Sequence, residues 1–339
     1  MMNTPQKTPL QWVRANLFNG WFNTLLTLFC GWAIAQTGIG LFRWLTTQAQ
    51  WAVVTTNLRL FLVGRYPQDQ VWRLWMVLAI AIGLIAASIF NAFLVKQPKV
   101  KERLNWTITS LILPATLLIL WLIGGGFGLS RISTNLWGGL LLTLLVAFTS
   151  ILLAFPFGVL LALGRQSTLP IVKGFCTAYI ELVRGLPLIG ILFMAQVMLP
   201  LVLPGQPNID RVVRAIAGLV LFNAAYLAEN VRGGLQAIPR GQTEAAKALG
   251  FNTPLTVGLI VLPQALKIAI PAIVGQFISL FKDTSLLALF ALLELTGIGR
   301  SILAQPEFLG RNAEVYLFIG LIYWVFCFAM SRLSRQLEK

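Results

Sequence analysis

The 339 residues are 57% hydrophobic and only 11% charged, with 26 Lys and Arg against 11 Asp and Glu and no His. That composition excludes an ordinary soluble domain and defines an integral membrane protein, while the lack of His removes imidazole bases, haem ligands and most zinc sites together. The formal charge of +15 does not argue for nucleic acid, because the charges lie in short breaks between apolar runs instead of on one basic face.

The first apolar run, residues 21–42, follows Lys7 and Arg14 and is long enough to cross a bilayer. Ala33-Ile34-Ala35 has the look of a signal-peptidase site, but the run continues to Phe42, so a span is predicted rather than a short leader. In residues 43–73, Trp44, Trp51, Leu58, Leu60, Phe61 and Trp72 alternate with Arg59 and Arg65. Two readings fit: an amphipathic segment lying at the interface, or an ordered loop anchored by tryptophans. Residues 74–95 and 107–124 read as spans, separated by the basic loop of Lys96, Lys99, Lys101 and Arg103.

Three glycines at 124–126 and the polar residues 130–135 mark the best boundary, dividing an N-terminal accessory region, 1–130, from a second region, 131–339. Beyond it residues 137–163, 179–203 and 212–228 read as straightforward spans, as do 315–330 near the end. Another crossing lies within 268–295, where Pro271, Gly275 and Lys282-Asp283 interrupt the pattern. A single kinked span from about residue 268 is expected, then a shallow or re-entrant stretch through Asn312. Cys30, Cys176 and Cys327 are isolated, so no CxxC pair exists.

Between the apolar runs lies the polar stretch GQTEAAKALGFNTPLTVGLIVLP, residues 241–263. Pro239 suits a first helical position, Gln242, Glu244, Ala245, Ala246, Lys247, Ala248 and Leu249 favour helix, and Gly250 suits its end. Gly241, Ala245 and Ala248 recur at helical spacing, giving a stripe with almost no side chain that can lie close in another protein's groove.

This stretch resembles the EAA loop of ABC-transporter permeases: Glu244-Ala245-Ala246, Gly250 after three residues, and Ile260-Val261-Leu262-Pro263 after nine more. The strings AYLAENVRGGLQAIPRGQTEAA, LPQALKIAIP, FKDTSL from Phe281 and YIELVRGLPL from Tyr179 are similar to the polar amino acid branch of that family. The N-terminal spans resemble those of the M-type subunit of general L-amino acid importers. The resemblance implies an all-α polytopic bundle of about eight transmembrane helices, with a five-helix type I permease core and three helices before it. It implies a coupling helix near 239–250, with Gly241, Glu244, Ala245, Ala246, Gly250, Leu262 and Pro263 as the ATPase-coupling set. A dimer of ABC ATPase subunits, a second permease subunit of different sequence, a periplasmic amino acid-binding protein and the lipid bilayer are the implied partners. No GxxxxGK[ST] string occurs, so ATP-Mg belongs on the partner ATPase and this chain binds no cofactor of its own. A loop that meets a cytoplasmic ATPase, and the basic tail Arg332, Arg335 and Lys339, place both termini in the cytoplasm with eight crossings of the inner membrane.

Two further groups draw attention. Lys282, Asp283, Thr284 and Ser285, with Glu294 about three turns on, are the densest polar group in the apolar core. They suit a substrate pathway or gate, or else an ion pair or helix cap at Asp283. Glu181 with Arg184, and Glu229 with Arg232, stand one turn apart near helix ends and read as ion pairs that can also serve a gate. An intramembrane enzyme lacks any GxSxG string or His, and an ion-driven secondary transporter would show two related halves. A structural membrane subunit is the remaining alternative.

Overall fold

A computed structural model describes residues 8–93, 97–202 and 209–337. Lys7, the end of the second predicted span at Val95, Lys96 of the basic loop, Leu203 and Lys339 lie outside the described residues. Regular structure in the described residues is helical, and the chain forms two compact units, residues 1–52 and 53–339.

The first unit holds α1, Pro9–Leu17, and α2, Trp21–Arg43. Thr8 and Gln11 cap α1 reciprocally, the side chain of each meeting the other's backbone N–H. In α2 apolar residues run around the whole circumference and none is buried within the unit, the pattern of a helix surrounded by lipid. Trp44 and Trp51 stack edge to face at 6.1 Å just beyond it.

The second unit opens with short helices α3, Ala52–Thr56, and α4, Leu58–Val63, leading to α5, Val71–Phe93, and α6, Pro98–Gly124. Of the two readings of the 43–73 stretch, the ordered loop describes residues 53–73. Phe61 and Tyr66 are fully buried, and Phe61 packs on Phe318 at 5.1 Å. The Tyr66 hydroxyl donates to the Ile123 carbonyl at 3.0 Å, and Arg73 donates to the backbone and side chain of Ser130. Burying such anchors is incompatible with a segment floating at the interface.

The remaining helices are α7, Gly139–Arg165; α8, Pro170–Gly185; α9, Leu188–Phe193; α10, Leu199–Val202; α11, Arg211–Gln236; α12, Arg240–Ala248; α13, Thr253–Leu255; α14, Leu262–Asp283; α15, Leu295–Leu303; and α16, Asn312–Leu337. Seven helical segments are long and apolar enough to cross a membrane, or eight if the bent pair α8 and α9–α10 is one span. That pair corrects the expectation of one straight span over 179–203, because the chain turns by 103° between Gly185 and Leu188. Pro187 is the cause: it removes an N–H and pushes Leu186 into extended backbone, φ −98° and ψ 143°.

The interrupted span also starts earlier than expected. Helix runs from Thr253 to Phe290, through α13, a π-helical segment at Thr256–Val261, α14 and a 3-10 turn, instead of beginning near residue 268. Pro254 sits in its first turn, and the widened π segment ends where Pro263 withholds an N–H, so neither proline breaks it. Ala291, in left-handed conformation at φ 54°, then diverts the chain into the short helix α15.

Helix α11 is the hub, packed on α7, α8 and α14. Close approach is enforced by glycine. A Cβ on Gly158 of α7 would stand 2.6 Å from the Leu227 Cβ, and one on Gly234 would stand 2.3 Å from the Ala265 carbonyl of α14. At 1.5 Å rise per residue, α11 is about 39 Å long, and Glu229 lies about 27 Å from its start, near the far boundary of a ~30 Å hydrocarbon layer.

Candidate functional site

Helix α12 is built much as its sequence suggests, with the start displaced by one residue. Pro239 is extended, ψ 139°, and caps the helix, so Arg240 rather than Pro239 takes the first helical position. At the other end Gly250 is left-handed, φ 83°, its N–H bonds the Lys247 carbonyl at 2.9 Å, and the Phe251 N–H bonds the Ala246 carbonyl at 3.1 Å. This paired closure needs a residue without Cβ strain at Gly250, and it fixes the angle at which the chain leaves the helix.

The two faces of α12 differ. Gly241, Glu244, Ala245 and Ala248 are exposed, so the small-residue stripe is free of the chain's own bundle. Ala246, in contrast, is 1% exposed and turned inward, where α12 packs against the π segment. Gln264 reinforces that contact, donating to the Gln242 side chain at 3.2 Å and to the Ile260 carbonyl at 2.8 Å. Leu262 is half-buried and Pro263 exposed at the head of α14. The helix that carries the outer stripe is thereby joined directly to the long span.

Near the α12 end of α11 lies a five-member charge network. Arg165, the last residue of α7, holds Glu229 at 2.8 Å and Glu181 at 2.9 Å. Arg184 reaches Glu229 at 3.3 Å and Arg232 reaches the same carboxylate at 2.8 Å, so one carboxylate, 15% exposed, collects three guanidiniums from three helices. Arg184 also stacks over the Tyr226 ring at 5.6 Å. The Glu229–Arg232 pairing follows from sequence spacing. Glu181 and Arg184 are joined through the network and not to each other among the described ion pairs. Sequence reading missed Arg165; its only local signal is a charge at the end of an apolar run, which reads as a boundary residue.

The 282–294 group does not converge on one point. Lys282 is exposed, Asp283 and Ser285 half-buried, and Thr284 buried with its hydroxyl on the Phe281 carbonyl at 2.7 Å. Asp283 makes no side-chain capping bond, contrary to its suitability as a cap. Glu294 is the capping carboxylate: fully buried, it accepts from the backbone N–H groups of Thr296 at 2.9 Å and Gly297 at 2.8 Å at the start of α15. Tyr323 adds a long 3.4 Å contact, and Thr143 braces the same turn by accepting from the Leu295 N–H at 3.0 Å. Burial pushes the Glu294 carboxyl up to about 7, against the pull of these donors. A carboxylate before Leu-Thr-Gly is a capping signal that the sequence does carry.

These features define a polytopic membrane protein with a short, outward-exposed helix packed against one span. The model of the family described as binding-protein-dependent transport system inner membrane component matches residues 154–339. The inner membrane amino-acid ABC transporter permease protein YhdY of Escherichia coli K12 is 44% identical over 97% of this chain and 92% of its own length. The glutamate/glutamine/aspartate/asparagine transport system permease protein BztC of Rhodobacter capsulatus is 35% identical over 97% of this chain and 93% of its own. A crystal structure of an amino acid ABC transporter with histidines is similar at TM-score 0.53 and 30% identity, over 59% of this chain and 91% of that one. The chain belongs to the family of inner membrane components of binding-protein-dependent transport systems.

Proposed function

We propose that this chain is a permease subunit of an ATP-driven amino acid importer, moving substrate across the inner membrane by alternating access. The observation that carries the reading is the 44% identity to YhdY across nearly the whole chain, together with an EAA-type helix whose small stripe is exposed. An ABC ATPase dimer, carrying ATP-Mg, docks on Gly241, Glu244, Ala245 and Ala248, and the chain itself has no ATPase or other catalytic site. Gly250 and the Leu262–Pro263 joint transmit the movement, while Ala246 anchors the helix from inside. A periplasmic amino acid-binding protein delivers the substrate, and a second, different permease subunit completes the pathway. Both termini are cytoplasmic, and the accessory region ends near residue 130, before α7.

The Arg165–Glu181–Arg184–Glu229–Arg232 network is the inner gate on this reading, since it ties α7, α8 and α11 at the end nearest α12. Lys282 to Ser285 and Glu294 support the pathway wall from the opposite end. Reconstituted with the ATPase, permease partner and binding protein, Glu244→Lys and Gly250→Leu are expected to lower ATPase association and uptake about tenfold or more while inserting normally. Wild-type uptake in both variants removes α12 from the coupling role, and uptake that follows an ion gradient without ATP removes the importer assignment.

A further inference from the structure

Beside the buried Ala246, α12 carries two exposed charges that docking of the outer stripe does not use. Arg240, Thr243 and Lys247 stand three and four residues apart and therefore share one side of the helix. With Gln166, Thr253 and Thr256 they line a cavity of about 230 Å³ between α12 and the head of the long span. No Asp or Glu lines it, and the exposed side chains of Arg240 and Lys247 make no hydrogen bond or ion pair among the described residues.

Thr256 supplies an independent observation. Thr116, Thr143, Thr256 and Thr284 are all buried in helical segments. Three of them return the hydroxyl to a carbonyl one turn back, those of Ile112, Gly139 and Phe281. Thr256, 1% exposed at the first position of the π segment, does not, and its hydroxyl is buried without a partner among the described residues. A buried hydroxyl of this kind costs stability unless something else completes it. Two unpaired cations, several hydroxyl donors and no carboxylate together match an oxyanion with many acceptor sites.

We propose that this cavity binds a phosphate oxyanion, clamping the inner face of α12 to the start of the span. The phosphate comes either free from solution or as the headgroup of an anionic phospholipid. Occupancy stiffens the joint between docking helix and span, so it tunes how fully movement at the outer stripe reaches the bundle. The binding stands whether or not amino acids are the cargo; the tuning rests on the coupling role proposed for α12.

The test uses the full chain in neutral detergent, titrated with inorganic phosphate by calorimetry. Wild type is expected to bind, Arg240→Gln/Lys247→Gln to weaken binding about tenfold or more, and Thr256→Val to weaken it about threefold. Thr256→Val is nearly isosteric, so unchanged thermal unfolding separates lost ligand contact from lost fold. Repeating the titration in nanodiscs identifies the source. Phosphate binding retained in phosphatidylcholine but abolished in phosphatidylglycerol makes the lipid headgroup the occupant, and binding equal in both makes it free phosphate. Phosphate heats identical in wild type and both variants, or absent from all three in detergent, overturn the proposal.

Discussion

Glu229 and Glu294 both leave water, and the protein holds them in opposite ways. Glu229 is met by three guanidiniums from α7, α8 and α11 itself. Glu294 meets no cation in the described residues; it is held by two amide N–H groups only two and three residues ahead in its own chain. Partners on separate helices come apart when those helices slide or tilt, whereas partners in the same turn travel with the carboxylate. The first arrangement suits an element that must open, and the second a corner that must keep its shape while others move.

The largest effects are expected at Glu229. Glu229→Ala leaves three guanidiniums facing one another near the membrane boundary and is expected to cost about 2–4 kcal/mol in detergent unfolding. Arg165→Met should approach the lower end of that range, because Arg165 alone joins Glu181 to Glu229. Arg232→Met removes a contact within one helix, and about 0.5 kcal/mol is expected. Equal losses for Arg165 and Arg232 would show that the network binds no helices together. In the reconstituted complex, Arg165→Met is also expected to raise ATP hydrolysis in the absence of binding protein, as a loosened inner end would.

An intermediate effect is expected from pH at Glu294. Its carboxyl is raised from 4.5 to about 7, so the folded state holds the proton more tightly than the unfolded chain does. The resulting stability is complete below 4.5 and is lost as pH rises through 7. Wild type is therefore expected to unfold more easily at pH 8 than at pH 5, by about 1–3 kcal/mol, and Glu294→Gln to flatten that slope. The chain contains no His, so no imidazole titrates in this window. A slope that survives in Glu294→Gln assigns it to another group.

How much of this was legible in sequence follows from the range of each interaction. The long spans could be read because bilayer crossing is set by local apolar length, and α12 because Pro239, the helix formers and Gly250 act on their own turn. The 103° bend was legible too, in Leu186-Pro187, but a continuous apolar run outweighed it. Glu229–Arg232 lies three residues apart and was accessible, whereas Arg165 finds Glu229 across 64 residues, a distance that only the packing of α7 on α11 closes. Asp283 and Glu294 show the same limit. Both precede residues suited to a helix start, but only at Glu294 does the backbone break so that N–H groups are left to cap.

The smallest expected effect sharpens the comparison most. Tyr323 approaches Glu294 Oε2 and the Thr284 hydroxyl at 3.4 Å each, distances at which a hydroxyl contributes little. Tyr323→Phe is therefore expected to cost about 0.5 kcal/mol or less. Its hydroxyl does favour the charged carboxylate, so removing it should carry the pH-dependent loss of stability to higher pH and slightly enlarge its height. Thermal unfolding across pH 5 to 8 reads both quantities. If the loss in Tyr323→Phe still runs at full slope at pH 8, the neighbouring helix α16 and not the local turn holds the charge, and Glu294 then belongs with Glu229 among carboxylates whose state depends on helices staying together.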